Sequence, residues 1–299
     1  MTQTDLAARL PDIDTLAAGL GAVGYLADEP LATALFLAAR MGPMPLLLEG
    51  EPGVGKTEAA KALATVLDTP LIRLQCYEGL TAAEALYEWN YPRQLLGIRL
   101  AEARGERVSD TDLFTPEYLL ARPLLAAISH PGPRPAVLLI DEVDRADDEF
   151  EAFLFETLAE ASVTIPELGT RHAVAAPIAI LTSNRTRDLH DALRRRCLYH
   201  WIGYPRTDRV AEIVRRRVPA ASDYLADRVA TGVGRLRTLG LTKPPGIAEA
   251  IDWASALVIL GLPELTPQAA AATLGAVLKH PEDHEAVLAQ GVSTVVADG

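Results

Sequence analysis

The chain alternates short unbroken apolar runs with longer stretches in which apolar positions recur every three to four residues. Pro45–Leu48, Pro135–Ile140 and Ala176–Thr182 are of the first kind and predict buried strands, and Leu71–Gln75 (LIRLQ) also reads as a strand. Leu31–Arg40, Thr57–Leu67 and Phe150–Glu160 are of the second kind and predict helices, the first stopped by Met41-Gly42-Pro43. Leu80 to about Gly105 mixes helical runs with aromatic residues, and Glu117–Ser129 reads as a further helix. Ser162–Val174 holds two short β-prone pieces around Pro166 and Gly169, which predicts a hairpin. Strands alternating with helices at this spacing imply an α/β domain with a parallel sheet.

The pattern changes after about Pro205. Asp208–Arg217, Ala220–Leu239, Gly246–Leu260 and Pro267–Lys279 read as helices, with little strand signal between them. Gly232 and Gly234 weaken the second of these, because glycine costs helix propensity. The expectation is an α/β domain over 1–205 and a small all-α domain over 206–299. No repeat of 20–50 residues and no low-complexity tract interrupts this plan.

Composition narrows the class. The 299 residues carry 28 Lys and Arg against 40 Asp and Glu, a formal charge of −12, with 49% hydrophobic and 23% charged residues. That balance suits a globular protein with a sizeable core and argues against a sequence-tolerant nucleic-acid binder, which needs a basic surplus. Cys76 and Cys197 are too few for a disulfide framework. The opening MTQTDLAARLPDIDTL lacks a basic n-region and a long apolar h-region, and apolar stretches fall short of a membrane span. The expected setting is soluble and cytoplasmic, with no membrane partner.

The strongest chemical signal is Gly50-Glu51-Pro52-Gly53-Val54-Gly55-Lys56-Thr57, placed between a predicted strand and a predicted helix. Glycines let backbone N–H groups curl around a phosphate, and the following helix N-terminus adds positive partial charge. Lys56 would reach the β- and γ-phosphates of ATP, the Thr57 hydroxyl would ligate Mg²⁺, and Glu58 follows in the first helical turn. Val137-Leu138-Leu139-Ile140-Asp141-Glu142 delivers two adjacent acids to a strand end. Asp141 would hold Mg²⁺ and Glu142 would polarise the attacking water as general base. Asn184 ends the Ile178–Ser183 run, where it would bond the γ-phosphate or the water. In Leu193-Arg194-Arg195-Arg196-Cys197, Arg196 is favoured as an arginine finger toward a neighbouring subunit, with Arg195 next.

Other features have plainer readings. Tyr87, Trp89 and Tyr91 cluster either to pack an insert or to face a partner. His280 and His284 lack a third ligand for zinc. Cys76 and Cys197 read as small apolar residues. Asp144, Asp147, Asp148, Glu149 and Glu151 read mostly as a solvated helix start.

With these motifs in this order, the chain resembles the AAA+ ATPases over roughly Tyr25 to Leu260. The long stretch from about Cys76 to Pro135 and the hairpin at Ser162–Val174 are similar to the branch with a helix-2 insert (within about 76–116) and a pre-sensor-1 hairpin. That branch includes MoxR-type chaperones, magnesium-chelatase ATPase subunits and McrB-type motors. Arg73-Leu74-Gln75-Cys76-Tyr77-Glu78-Gly79, Tyr87-Glu88-Trp89-Asn90-Tyr91 and Arg194-Arg195-Arg196-Cys197-Leu198-Tyr199-His200-Trp201 look most like CoxD-like MoxR proteins. The resemblance implies a P-loop core with a helical lid, a ring of identical subunits (a hexamer), and a von Willebrand factor A-type partner. It also implies a client metalloenzyme, a molybdenum hydroxylase of the carbon monoxide dehydrogenase type. A McrB-like nucleic-acid motor and a magnesium-chelatase-type subunit are the alternatives. Tyr25 sits where this family wraps the adenine. Where many MoxR-type lids carry a Ser-Pro-Arg-like motif, this chain has Leu241-Thr242-Lys243-Pro244-Pro245-Gly246-Ile247, so that either the lid contact is weaker or Lys243 fills the role of the lid cation.

Overall fold

The computed structural model describes residues 6 and 9–296; the reading of the first residues as lacking a leader falls partly outside that range. Nine strands are present among the described residues: β1 Leu46–Gly50, β2 Leu71–Gln75, β3 Tyr87–Trp89, β4 Leu119–Ala121, β5 Val137–Asp141, β6 Ser162–Ile165, β7 Gly169–His172, β8 Ile178–Ser183 and β9 Leu198–Ile202. Five of them form one sheet in the order β2-β5-β8-β1-β9. The pairings β2/β5, β5/β8 and β1/β8 are parallel, with Gln75 opposite Asp141 and Ile140 opposite Leu181. Every residue of β1, β5 and β8 is buried, which is why these strands read as continuous apolar runs.

The chain divides into two compact units. The first holds residues 27–49 and 57–200 with the N-terminal segment to Val23. The second holds Trp201 onward together with Gly24–Leu26 and Gly50–Lys56. In this division the glycine-rich loop belongs to the C-terminal unit. The first unit is an α/β layer structure whose core runs through Leu47, Leu138, Ile140, Phe150, Leu154 and Leu181. The second is all-helical outside its two short N-terminal segments and the end of β9, and packs around Trp253, Val229, Val233 and Leu257.

The insert differs from the sequence reading. Leu80–Gly105 resolves into a helix Ala82–Leu86, capped by a reciprocal Thr81–Glu84 box, then β3, then a helix Tyr91–Arg104 ended by Gly105 at φ 73°. The single helix expected over Glu117–Ser129 is instead a turn, the strand β4 and a helix Pro123–Ile128. Pro123 has no N–H to continue a helix from β4 and suits the first position of a new one. β4 pairs antiparallel with β3, Trp89 opposite Leu119. The expected hairpin is present as β6/β7, Ile165 opposite Gly169. The helices absent from the sequence reading include Ile13–Ala22, with Asp12 as N-cap, and Pro281–Gln290.

In the helical unit, Asp223–Leu236 continues through both glycines. A Cβ at Gly232 would lie 3.1 Å from the Trp253 ring, so the glycine makes room for the indole. That indole is fully buried, and its Nε1–H donates to Thr273 Oγ1 at 2.8 Å. Trp253→Ala is expected to cost about 3–5 kcal/mol, read as a lower midpoint in urea unfolding.

Candidate functional site

The loop Gly50–Lys56 joins β1 to the helix Lys56–Leu67 and is shaped by its glycines. Gly53 and Gly55 have φ of 77° and 98°, values that L side chains rarely adopt. A Cβ on Gly50 would meet the Ile202 carbonyl oxygen at 2.2 Å. The Lys56 ammonium is buried and donates to the carbonyls of Gly50 and Glu51 at 2.7 and 2.9 Å. Val54 is buried, while Glu51 and Pro52 are exposed. Glu58 accepts from Lys61 at 2.6 Å.

Within the same unit, the start of the Ile247–Ile259 helix lies on this loop. The Ile247 N–H donates to the Gly53 carbonyl at 2.9 Å. A Cβ on Gly246 would come within 2.9 Å of the Gly53 backbone. Tyr25 Oη donates to the Gly55 carbonyl at 3.3 Å. The Lys243 side chain is exposed, and its backbone N–H donates to Asp283 Oδ2 at 3.1 Å. A Cβ on Gly53 would meet Glu249 Oε2 at 3.0 Å, so the residues seen against the loop include Tyr25, Ile202, Gly246, Ile247 and Glu249; the sequence reading singled out Tyr25 and, from the lid segment, Lys243 in place of Gly246 and Ile247. The Pro-Pro-Gly preceding Ile247 was the available signal. Arg237 braces this segment: its Nε donates to the Pro245 carbonyl at 2.7 Å, and it stacks on Tyr204 at 4.3 Å. Burial lowers the Arg237 pKa and raises that of Tyr204.

The acids are in the first unit. Asp141 is buried at the end of β5 and gathers three donors. Thr57 Oγ1 reaches Oδ1 at 3.0 Å, Thr182 Oγ1 reaches Oδ1 at 2.5 Å, and Arg73 Nη2 reaches Oδ2 at 2.6 Å. Glu142 follows in the left-handed region at φ 55°, a costly conformation for a residue with a Cβ. Its N–H donates to Thr182 Oγ1 at 2.9 Å, and Arg145 lies 3.2 Å from its carboxylate. Thr182 thus touches both acids, a role the sequence did not reveal. The oxygen-only set of Thr57 and Asp141 suits Mg²⁺, which favours a carboxylate plus phosphate and water oxygens.

Asn184 is half-buried just beyond β8, its N–H 3.3 Å from Asp144 Oδ1. Asp144 and Glu151 are not solvated as expected: they are 2% and 1% exposed. Asp144 accepts from the Thr186 N–H and hydroxyl at 2.8 and 2.7 Å. Glu151 accepts from the His190 N–H at 2.8 Å and pairs with Arg187. The two acids moor the loop that carries Asn184, which is why they are buried.

The three arginines diverge. Arg194 is anchored 2.6 Å from Glu49, itself buried at the end of β1. Arg195 is exposed, 3.9 Å from Asp191. Arg196 is also exposed and lies 4.0 Å over the Phe155 ring, lining a groove with Met41, Met44 and Leu158. Burial pushes the Cys76 and Cys197 thiols up to about 12, far from nucleophilic use. His284 Nε2 lies 3.0 Å from the Leu278 carbonyl. Trp89 is buried edge-on to Tyr87 and Phe114, whereas Tyr91 is exposed.

A family model described as an AAA domain of the dynein-related subfamily matches residues 45–197, just over half of the chain. The chain belongs to this family. It is 27% identical to the chaperone MoxR1 of Mycobacterium tuberculosis over 178 residues, 57% of this chain and 39% of that protein. The chain thus spans well under half the length of that relative. It is 42% identical to the protein CbbQ of Allochromatium vinosum over 50 residues, 17% of this chain and 68% of that protein. Among solved structures, a Thermotoga maritima RuvB mutant aligns with a TM-score of 0.48 at 18% identity, covering 92% of this chain and 75% of that one. The T. maritima RuvB Holliday junction branch migration motor aligns at 0.45 and 19% identity, covering 83% and 69%.

Thr182→Val would strip one donor from Asp141 and leave the Glu142 N–H unpaired. A loss of about 1–3 kcal/mol is expected, seen as a lower Tm. Iodoacetamide at pH 8 should label neither cysteine in the folded protein and both after unfolding, checked by intact mass.

Proposed function

We propose that this chain is a MoxR-type AAA+ ATPase that hydrolyses ATP with Mg²⁺ to remodel a client protein. The observation that carries the reading is the Thr57–Asp141 contact at 3.0 Å, one residue beyond the buried Lys56 of the glycine-rich loop. Backbone N–H groups of the glycine-rich loop, Pro52 having none, cradle the phosphates, Lys56 neutralises their charge, and Tyr25 borders the nucleotide. Thr57 and Asp141 would hold Mg²⁺, which would supply charge neutralisation to the phosphates. Glu142 takes the proton of the attacking water. Asn184 orients that water or the γ-phosphate from a loop moored by Asp144. Lys243 is the lid's candidate cation.

The reading includes a ring of identical subunits, proposed as a hexamer from the family resemblance, in which one subunit's finger reaches its neighbour's nucleotide. Arg196, with Arg195 next, supplies the finger. The acidic balance of −12 supports a protein client over a polyanion. The similarity to MoxR1 supports a chaperone-like role. The CoxD-like segments point to a cytoplasmic client metalloenzyme, a molybdenum hydroxylase of the carbon monoxide dehydrogenase type, served with a von Willebrand factor A-type partner.

Glu142→Gln should keep nucleotide affinity, measured with a fluorescent ATP analogue, and lose about 10²–10⁴-fold in phosphate release. Full turnover would remove Glu142 as the base. Arg196→Ala should leave affinity nearly unchanged and cost about 10³-fold or more in turnover. If Arg195→Ala does this instead, the finger is Arg195. A pull-down with Glu142→Gln in ATP, read by mass spectrometry, tests the client: recovered nucleic acid in place of protein would overturn it.

A further inference from the structure

The carboxylate proposed to hold Mg²⁺ already has a cation of its own. Arg73 Nη2 lies 2.6 Å from Asp141 Oδ2, and Asp141 is buried while the Arg73 side chain is half exposed. The placement follows from the sheet. β2 and β5 are parallel neighbours with Gln75 opposite Asp141, and Arg73 and Gln75, two residues apart, share one face of β2. The guanidinium therefore spans from one strand end to the next, touching Gln75 Oε1 at 2.5 Å as it does so.

The two carboxylate oxygens are used differently. Oδ1 accepts from Thr182 at 2.5 Å and Thr57 at 3.0 Å. Oδ2 accepts from Arg73 at 2.6 Å, with Thr57 more distant at 3.3 Å. Thr182 is also the acceptor for the Glu142 N–H, so its hydroxyl proton is committed to Asp141. Oδ2 is thus the oxygen at which a Mg²⁺-bound water meets a competing donor, and that donor carries a positive charge. The Gln75 amide oxygen, already bonded to the guanidinium, is a neutral partner that can keep it in place when Asp141 lets go.

We infer that Arg73 is a resident counter-ion of Asp141 that exchanges with Mg²⁺: it neutralises the buried carboxylate and sets the metal concentration at which nucleotide is held. Arg73 is a positioning residue, acting through Asp141. The inference rests on the ATPase reading above, because it takes Asp141 as the metal-holding acid. It also gives a role to the Arg73-Leu74-Gln75-Cys76 segment, which the nucleotide chemistry leaves unused.

The test titrates Mg²⁺ into the full chain with a fluorescent ATP analogue, comparing wild type, Arg73→Gln and Arg73→Lys. Removing the competing charge in Arg73→Gln should lower the half-saturating Mg²⁺ concentration about tenfold, and Arg73→Lys, which keeps the charge, should stay near wild type. Thermal unfolding supplies a second readout. Arg73→Gln should melt below wild type in EDTA, and the deficit should close with Mg²⁺ and nucleotide, since the metal replaces the missing cation. Unchanged or weakened Mg²⁺ affinity in Arg73→Gln overturns the inference while leaving the ATPase reading intact. A melting deficit of equal size in both conditions also overturns it, marking Arg73 as merely structural. Failure of the wild type to bind nucleotide in any Mg²⁺ concentration overturns the ATPase reading and the inference with it.

Discussion

A carboxylate taken out of water must be met by donors or counter-charge. Asp141 imposes that requirement at the centre of the α/β unit. Its partners come from three elements, the helix after the glycine-rich loop (Thr57), β8 (Thr182) and β2 (Arg73). In the sheet order β2-β5-β8, the strands on either side of β5 are each tied to its last residue by a side chain as well as by backbone pairing. The same acid fixes its neighbour: Glu142 is held in its left-handed conformation with its N–H on the Thr182 hydroxyl that serves Asp141.

A pair of buried acids repeats the device nearby. Asp144 holds the turn after β8, and Glu151 holds the chain at His190, just ahead of the arginine cluster. Three carboxylates on one segment, residues 141–151, thus arrange the loop bearing Asn184 and the approach to Arg194–Arg196. Their burial runs against the usual place of acids at a helix start, where the macrodipole alone would account for them. Asp147 fills that ordinary role, capping the Asp148–Glu160 helix.

What the sequence disclosed and what it hid divide along physical lines. β1, β5 and β8 were legible because central parallel strands are apolar on both faces. β9 was not: it lies at the sheet edge, with Tyr199 and Trp201 exposed, and follows directly on a basic cluster. β3 and β4 are three residues each and stabilised by pairing with one another, a non-local fact. The Lys56 loop and the Asp141–Glu142 pair were legible because their chemistry is written in consecutive residues. Thr182, Asp144 and Arg73 were not, because each meets its partner about forty or more positions away along the chain.

The Glu49–Arg194 ion pair has a consequence for order. The helix Asp191–Arg194 is a single turn, too short to hold itself in water. Left to its own propensity it would fray, and the side chains of Arg195 and Arg196 would sample a wide cone. Glu49, immobile at the end of a fully buried strand, lends the turn its rigidity. The directional accuracy of the two exposed arginines is therefore inherited from β1. A disturbance of the register of β1 would therefore be felt at a distance, in the arginines that its buried acid orients.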